Sequence, residues 1–371
     1  MYFSLFLGPG VRGPHEDRLA ITLGIDQAVQ ADDAGFAAVY VGEQHFNNYE
    51  PYADGLGMAA FLAGRLRNAY LGTSMVPLFL HHPLIVAERA NLLDQLTDGK
   101  FILGVSSGRP RDGKAWNKQD LTSEQRTALF DQKLDVMLRA WAHRAEDGPL
   151  EFSTDDGPGV MEGRMMPVSY RAPHPLYAIG TNTPAKIAEA GRRGQKVHLG
   201  QFDLAGGGRI AELYRTSMRD AGHPDGLVEG NLRWLIHTKI ILVADTDAAA
   251  WELAHNLYAG PMLIGPWVRR DPAQAGWSLR EIYDAEPGDF APAMGSPESL
   301  TAYLRRTTIV GSPDSVAREL ATYQAAGLSH IHARFIFGTL DDPGIFQRSF
   351  SLFTKEVMPS VGVDTIPAPT G

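Results

Sequence analysis

Short apolar segments alternate with longer amphipathic segments along almost the whole chain, a pattern typical of strands followed by helices. The apolar segments predict eight strands, at 2–7, 37–41, 70–77, 101–105, 176–179, 197–199, 232–243 and 331–337. The amphipathic segments predict helices at 21–34, 56–65, 84–96, 124–141, 185–193, 209–221, 248–257 and 315–326. Repeated strand–helix units favour a parallel sheet. At this count, we predict an α/β fold, a (β/α)8 TIM barrel, formed by residues 1–371 as one domain.

Two stretches interrupt the alternation and are interpreted as loop insertions. Residues 145–175 and 263–299 are both rich in glycine and proline. Long insertions in a barrel usually serve as lids or binding loops at the carboxyl ends of the strands. The second stretch, which holds Trp267 and Arg269, is the better lid candidate, and a surface or dimer-contact loop is the alternative. An amphipathic segment at 345–357 predicts one extra C-terminal helix.

An open, doubly wound sheet is the main alternative fold. Its dinucleotide-binding motif, Gly-x-Gly-x-x-Gly directly after the first strand, is absent, and the glycine run at 206–208 has a different spacing. The sequence therefore favours the barrel and shows no nicotinamide-binding fingerprint.

Composition excludes several classes of function. The chain has 44% hydrophobic residues and a formal net charge of −9, so nucleic acid is not an expected partner. It has no cysteine, which excludes disulfides, thiolate metal sites and cysteine nucleophiles and makes the cytoplasm the default location. The apolar start at 1–7 is too short for a bilayer span. We expect a globular protein that has no membrane partner.

A polar turn follows the predicted strand at 176–179 and precedes a helix. A helix N-terminus offers free amide donors and a positive dipole to an anion, so this turn predicts a phosphate site. Ordinary capping of the helix by Thr183 is the alternative. A second polar turn follows the strand at 101–105, at the same end of the barrel. The candidate residues are Gly180, Thr181, Asn182 and Thr183 in the first turn and Ser106, Ser107 and Arg109 in the second.

The strand at 37–41 ends in Glu43, Gln44 and His45. Polar groups at the carboxyl end of a barrel strand are typical of active sites. His45 is suited to donate or accept a proton near neutral pH, Glu43 to orient it, and Gln44 to form hydrogen bonds only. A structural histidine is the alternative interpretation.

The last predicted strand alternates in polarity, so His330, His332 and Arg334 share one face. We expect this face to point into the barrel, where the three residues become candidates for substrate contacts. A His-x-His pair also suits a metal hydrolase, but that class needs further ligands on the first strand, and residues 2–6 supply none. We therefore expect no metal.

Several motifs together resemble the bacterial luciferase-like flavin monooxygenases. They lie at 34–36, 39–41, 43–46, 82–84, 91–101 and 103–105, and the similarity continues through 180–194, 310–316, 326–328 and 352–359. The resemblance covers nearly the whole chain, and the two insertions are its weakest parts.

The resemblance implies a (β/α)8 barrel that binds reduced FMN at the carboxyl ends of the strands. It also implies that O2 reacts at the flavin C4a to form a (hydro)peroxide, which transfers one oxygen atom to a small or medium-sized organic substrate. Thr183 corresponds to a phosphate contact, and Ser74 and Met75 to a non-prolyl cis peptide beneath the flavin. The resemblance also implies a homodimer. Because no nicotinamide fingerprint is present, we expect a separate NAD(P)H:flavin reductase as a partner.

Two positions depart from the luciferases within this family. Gln44 and Ser107 stand where luciferases have histidine and arginine, so light emission and aldehyde oxidation are not expected. Arg109 and Arg111 are both candidates to supply the missing charge. Two other functions stay open, namely hydride transfer with the deazaflavin F420 and a flavin-binding barrel without turnover.

Overall fold

The structure is a computed structural model that describes residues 1–8, 11, 14–46, 51–108, 113, 115–118, 120–259, 297–335, 343–363 and 365–369. Its strands are β1 Tyr2–Leu7, β2 Ala38–Val41, β3 Tyr70–Thr73, β4 Val76–Pro77, β5 Phe101–Ser106, β6 Leu150–Thr154, β7 Gly157–Met161, β8 Leu176–Gly180, β9 Lys196–Leu199, β10 Ile236–Val243, β11 Thr308–Gly311 and β12 His330–Arg334. Its α-helices are α1 Asp17–Asp33, α2 Gly55–Ala63, α3 Pro83–Leu96, α4 Ser123–Ala142, α5 Pro184–Arg192, α6 Leu204–Asp220, α7 Asp225–Arg233, α8 Asp247–Ala259, α9 Pro297–Thr307, α10 Pro313–Ala325, α11 Pro343–Leu352 and α12 Met358–Val361. A π-helical turn, Phe353–Val357, joins the last two.

Eight parallel strands close into a barrel in the order β12-β1-β2-β3-β5-β8-β9-β10, because β10 pairs with both β9 and β12. Each of the eight contains or overlaps one predicted strand, so the TIM-barrel prediction is confirmed. The short strand β4 pairs with the carboxyl end of β5, and β11 pairs with the carboxyl-terminal half of β10.

Alternation along the strands separates two apolar layers. Phe3 and Leu5 of β1 belong to the large cluster between the strands and the surrounding helices, whereas Tyr2 packs with the cluster inside the barrel. The same period of two puts Tyr40 of β2 inside and Val39 outside. The interior is thus filled by side chains, as the fold requires.

Two predicted strands needed correction, and two elements near the second insertion were not predicted. The strand predicted at 232–243 begins only at Ile236, because residues 225–233 form helix α7. The strand predicted at 70–77 is divided at Ser74–Met75, which is a cis peptide. Strand β11 and helix α9 were not predicted, since each is short and lies close to the second insertion.

The first insertion, 145–175, contains a two-stranded antiparallel hairpin of β6 and β7 that the glycine-rich sequence did not predict. Most of the second insertion lies outside the described residues, and α9 begins within its last residues. The predicted C-terminal helix is present as α11 and the π-helical turn. Within the described ranges, every helix is too short or too polar to cross a membrane.

Candidate active site

Four neighbouring strands of the barrel carry the predicted catalytic and cofactor-binding residues at their carboxyl ends. In barrel order these strands are β2, β3, β5 and β8. They lead into segments 43–45, 74–75, 106–107 and 180–183. Because parallel strands end at the same face, the fold brings all four segments to one rim of the barrel.

Glu43 is the centre of a hydrogen-bonded group at this rim. Its Oε1 atom is 2.9 Å from Nε2 of His45, as the sequence pattern suggested, and 2.6 Å from Nε2 of His81. The Glu43 side chain is 2% exposed, and those of His45 and His81 are 15% and 25% exposed. Burial raises the pKa of Glu43, but the hydrogen bonds from the two imidazoles outweigh this effect and hold the pKa below its usual value.

Aromatic side chains cover the outer side of His45. Its ring centroid lies 4.9 Å from that of Trp116 in an edge-on contact and 6.0 Å from that of Phe46. Phe46 has a positive φ of 55° and is 75% exposed, so its ring stands at the surface of the site. Gln44 is half-buried beside these residues in the chain. The arrangement gives His45 an apolar wall on one side and a carboxylate on the other.

The Ser74–Met75 peptide bond is cis, as the family resemblance implied. The Met75 side chain lies against two glycines of neighbouring strands. A Cβ at Gly104 would come within 2.9 Å of Met75 Cε, and one at Gly180 within 2.7 Å of Met75 Cγ. At Gly104 a Cβ would also come within 2.0 Å of the Thr73 carbonyl oxygen, so only glycine fits there, whereas a side chain at Gly180 would displace Met75.

The turn after β8 leaves one hydroxyl outside the local network. The Thr183 amide donates to Thr181 Oγ1 at 3.1 Å, and Asn182 Oδ1 accepts from the Gly200 amide at 2.7 Å. Thr183 occupies the N-cap position of α5, but among the described residues its side chain makes no capping hydrogen bond. Its exposed hydroxyl therefore lies beside the amides of the first helical turn, an arrangement that suits an anion.

The structure describes only part of the turn after β5. Ser106 Oγ accepts from the Gly108 amide at 3.3 Å, Gly108 has a positive φ of 65°, and Ser107 is half-buried. Arg109 and the alternative Arg111 lie outside the described residues, as do Trp267 and Arg269. The prediction that these four residues serve the cofactor or substrate stays a prediction.

The polar face of β12 points into the barrel as expected, but its residues occupy different depths. His330, at the amino end of the strand, accepts from Ser4 Oγ at 2.5 Å and donates to the Arg233 carbonyl oxygen at 2.8 Å. His332 contacts Phe6 and Tyr40, with ring centroids 5.1 Å apart in both pairs. Both histidines are fully buried. We assign them to the packing of the barrel interior.

Arg334 lies at the carboxyl end of β12, on the same rim as the site. It is buried, donates to the Gly8 carbonyl oxygen and places its guanidinium 5.3 Å from the ring centroid of Phe6. Of the three β12 candidates, Arg334 is the one that the fold brings to the active-site rim, where it stays a predicted substrate contact.

Sequence reasoning missed His81 and Trp116. The doublet His81-His82 between a strand and a helix was the available signal for the first, and no local pattern marks the second. Glu43, His45 and His81 also form a set of donors that a metal ion could use. Their N–O separations of 2.6 and 2.9 Å are hydrogen-bond lengths, whereas two ligands about 2.1 Å from one ion stand about 3 Å or more apart.

The family model for luciferase-like monooxygenases matches residues 1–330. The chain belongs to the luciferase-like monooxygenase family. It is 34% identical over 369 residues to 4-hydroxyprotoasukamycin monooxygenase of Streptomyces nodosus subsp. asukaensis, an alignment that covers 96% of this chain and 91% of that protein. This luciferase-like monooxygenase is therefore an oxidoreductase.

The family also contains other chemistries. F420-dependent glucose-6-phosphate dehydrogenase of Kribbella flavida is 20% identical, with 90% of this chain and 92% of that protein covered. Some alignments are much shorter, and one covers only 39% of the relative's length.

The fold agrees with solved structures of the family. The oxygenating constituent of 3,6-diketocamphane monooxygenase from Pseudomonas putida, solved in complex with FMN, superposes with a TM-score of 0.74 at 21% identity. The superposition covers 97% of this chain and 98% of that one. At this identity the similarity shows the shared barrel.

Proposed function

We propose that this protein is a two-component monooxygenase that uses reduced FMN and O2 to insert one oxygen atom into a small or medium-sized organic substrate. The observation that carries the proposal is the shared rim, where the Glu43–His45 pair and the anion-binding turn at Thr183 lie on strands of one barrel face. The family membership of the chain supports the same activity.

The residues present fit FMN. The amides that begin α5 would hold the phosphate together with the Thr183 hydroxyl, which makes no capping hydrogen bond among the described residues. Met75, set between two glycine-bearing strands, would support the flavin ring. Reduced FMN, when bound, supplies the electrons that activate O2. His45 would hold or release a proton at the rim, and Trp116 and Phe46 would exclude water from it.

The electrons would come from a separate NAD(P)H:flavin reductase. The chain has no Gly-x-Gly-x-x-Gly motif after its first strand with which to bind a nicotinamide. The solved 3,6-diketocamphane enzyme is likewise described as an oxygenating constituent, which is one part of a larger system. The cytoplasm, where reduced nicotinamides are available, is the compartment that we propose.

An exposed apolar strip on α3 supports a homodimer. Ile85, Leu92 and Leu96 share one helical face and are each about half-exposed. Val168, whose carbonyl oxygen accepts from Gln95 of the same helix at 2.9 Å, extends the strip. A second copy of this chain would bury this strip.

F420-dependent hydride transfer is the second candidate, because enzymes that use F420 align with this chain over most of its length. The two functions differ in whether O2 is consumed.

The test is an anaerobic titration of the protein with FMN, reduced FMN and F420, followed by admission of O2 in the presence of a flavin reductase. We expect reduced FMN to bind and O2 to be consumed, with ¹⁸O from ¹⁸O2 appearing in the product. Preferential binding of F420 without O2 consumption would identify the hydride-transfer branch, and binding of reduced FMN without turnover would identify a carrier.

Thr183→Ala tests the phosphate assignment. We expect the Kd for FMN to rise about 10-fold, because one hydrogen bond to a charged group is lost. Thr181→Ala, which removes a locally bonded hydroxyl, is the matched control and should have a smaller effect. An unchanged Kd in Thr183→Ala would contradict the assignment.

A further inference from the structure

His81 adds a second imidazole to the active-site rim. It lies between β4 and α3, and its Nε2 atom is 2.6 Å from Glu43 Oε1, the same oxygen that bonds His45. One buried carboxylate oxygen therefore joins two partly exposed imidazole rings.

These hydrogen bonds determine where the protons lie. The pKa of Glu43 is held below its usual value, so the carboxylate is ionised near neutral pH and accepts both hydrogen bonds. Both Nε2 atoms must then carry a proton. In a neutral imidazole that is protonated at Nε2, the lone pair is on Nδ1. In the proposed function, Nδ1 is therefore the nitrogen of His45 that would take up or release the proton.

Two lysines hold the backbone that carries His81. Lys133 Nζ donates to the His81 carbonyl oxygen at 2.8 Å, and Lys118 Nζ donates to the Phe79 carbonyl oxygen at 2.8 Å. The side chain of Lys133 is fully buried. A buried ammonium group needs an anionic partner as well as hydrogen bonds.

The turn of the β6–β7 hairpin supplies that partner. Asp155 is 2.9 Å from Lys133 Nζ and 2.6 Å from Lys118 Nζ, and Asp156 is 3.4 Å from Lys133 Nζ. Burial raises the pKa of Asp155, but the hydrogen bonds from the two lysines outweigh this effect and lower the pKa overall. Asp155 is therefore negatively charged beside the two ammonium groups. The first insertion thus reaches the active-site rim through its turn.

We propose that His81 is a positioning residue for proton transfer at His45 and that the β6–β7 hairpin holds it in place through Asp155 and Lys133. The proposal rests on the proposed function, in which His45 exchanges a proton. His81 donates the second hydrogen bond that keeps Glu43 ionised and fixed, and Glu43 in turn keeps the proton of His45 on Nε2. The first insertion would then stabilise the active site by holding the backbone of His81.

The test compares His81→Leu, which removes the donor, with His81→Gln, which keeps an N–H donor. The readout is the titration of the Glu43 carboxyl carbon by ¹³C NMR in the cofactor-free protein, assigned with Glu43→Gln. We expect the titration midpoint of Glu43 to rise in His81→Leu and to lie nearer the wild-type value in His81→Gln. His223→Leu is the control, because His223 lies between α6 and α7 and bonds the Arg192 carbonyl oxygen, and it should leave the midpoint unchanged.

Turnover is the second readout. We expect kcat to fall about 10-fold in His81→Leu, with most of the loss restored in His81→Gln and the Kd for reduced FMN unchanged. Asp155→Asn should lower kcat in the same direction by a smaller factor.

Three results would overturn the proposal. They are an unchanged Glu43 midpoint in His81→Leu, equal losses of kcat in the two His81 variants, and zinc binding by the wild-type protein that His81→Leu abolishes. If the wild-type protein shows no O2-dependent turnover, the proposed function fails, and the Glu43 titration in the cofactor-free protein still decides whether His81 holds this carboxylate.

Discussion

The histidines of this protein occupy two contrasting environments. At the rim of the barrel, His45 and His81 are partly exposed and share the Glu43 carboxylate. Inside the barrel, His198, His330 and His332 are buried, and among the described residues none of the three has a carboxylate partner. Burial, with the nearby His330 adding to it, lowers the pKa of His198 to about 3, and burial lowers the pKa of His330 to about 4.

The two environments suit the histidines to different roles. The interior rings act as aromatic side chains, and Tyr40 makes edge-on contacts with His198 and His332 at 4.9 and 5.1 Å. The rim rings form hydrogen bonds to one carboxylate, which fixes the ring orientation. Charge on an interior ring would cost folding free energy.

The largest expected effect separates the two groups by activity. His45→Ala removes the proposed proton carrier, so kcat should fall roughly 100- to 10,000-fold while the Kd for reduced FMN changes little. His198→Phe is the matched interior variant and should retain most of the activity, because Phe keeps the aromatic contact with Tyr40. Steady-state turnover and flavin titration measure both. Equal losses in the two variants would mean that the rim and interior histidines do not differ in their contribution to turnover.

The buried histidines make the stability of the fold sensitive to acid. Each interior histidine has a folded-state pKa below 6.5, and so has His237, buried at the helix side of β10. The unfolded state therefore binds more protons, and the free energy of unfolding falls as the pH drops below 6.5. Each group contributes up to about 1.4 kcal/mol per pH unit down to its folded-state pKa.

Urea unfolding between pH 7.5 and pH 5 measures this slope. His198→Phe should reduce the slope by about 1.4 kcal/mol per pH unit, since one acid-sensitive group is removed. A slope that His198→Phe leaves unchanged would mean that His198 is not held neutral by the fold.

The carboxylate of Glu43 can be removed without changing the shape of its side chain. Glu43→Gln keeps an oxygen that accepts one hydrogen bond but loses the negative charge, so kcat should fall about 10-fold at neutral pH. Asp156→Asn is the comparison variant for the loss of kcat. It removes a more exposed carboxylate in the turn of the β6–β7 hairpin, 3.4 Å from Lys133 Nζ. If Glu43→Gln matched the wild-type kcat, the charge at the rim would have no catalytic role.

The sequence was sufficient for the barrel because strand periodicity is local. All eight barrel strands follow from apolar runs, and the family resemblance correctly implied the cis peptide at Ser74–Met75. Gly35, Gly99 and Gly327, which follow the ends of α1, α3 and α10, all have positive φ, as is typical of glycines that end helices.

The missed features depend on contacts between distant residues. His81 meets Glu43 across 38 positions, and Lys133 meets the His81 carbonyl oxygen across 52. No short pattern encodes such pairs, because each residue alone is common on a loop or a helix. The roles of His330 and His332 were unclear for the same reason, since period two gives the face of a strand but not the depth within the barrel.

The smallest expected effect concerns a single interior hydrogen bond. His330 donates through Nδ1 to the Arg233 carbonyl oxygen, so its Nε2 atom accepts from the Ser4 hydroxyl. Ser4→Ala leaves this buried acceptor without its partner and should cost about 1 kcal/mol of unfolding free energy, with kcat unchanged. Ser360→Ala, an exposed serine that donates to the Val357 carbonyl oxygen, is the control and should stay within about 0.5 kcal/mol of wild type. If Ser4→Ala lowered kcat while leaving stability intact, the interior histidines would be coupled to the rim, and the two environments would function as one.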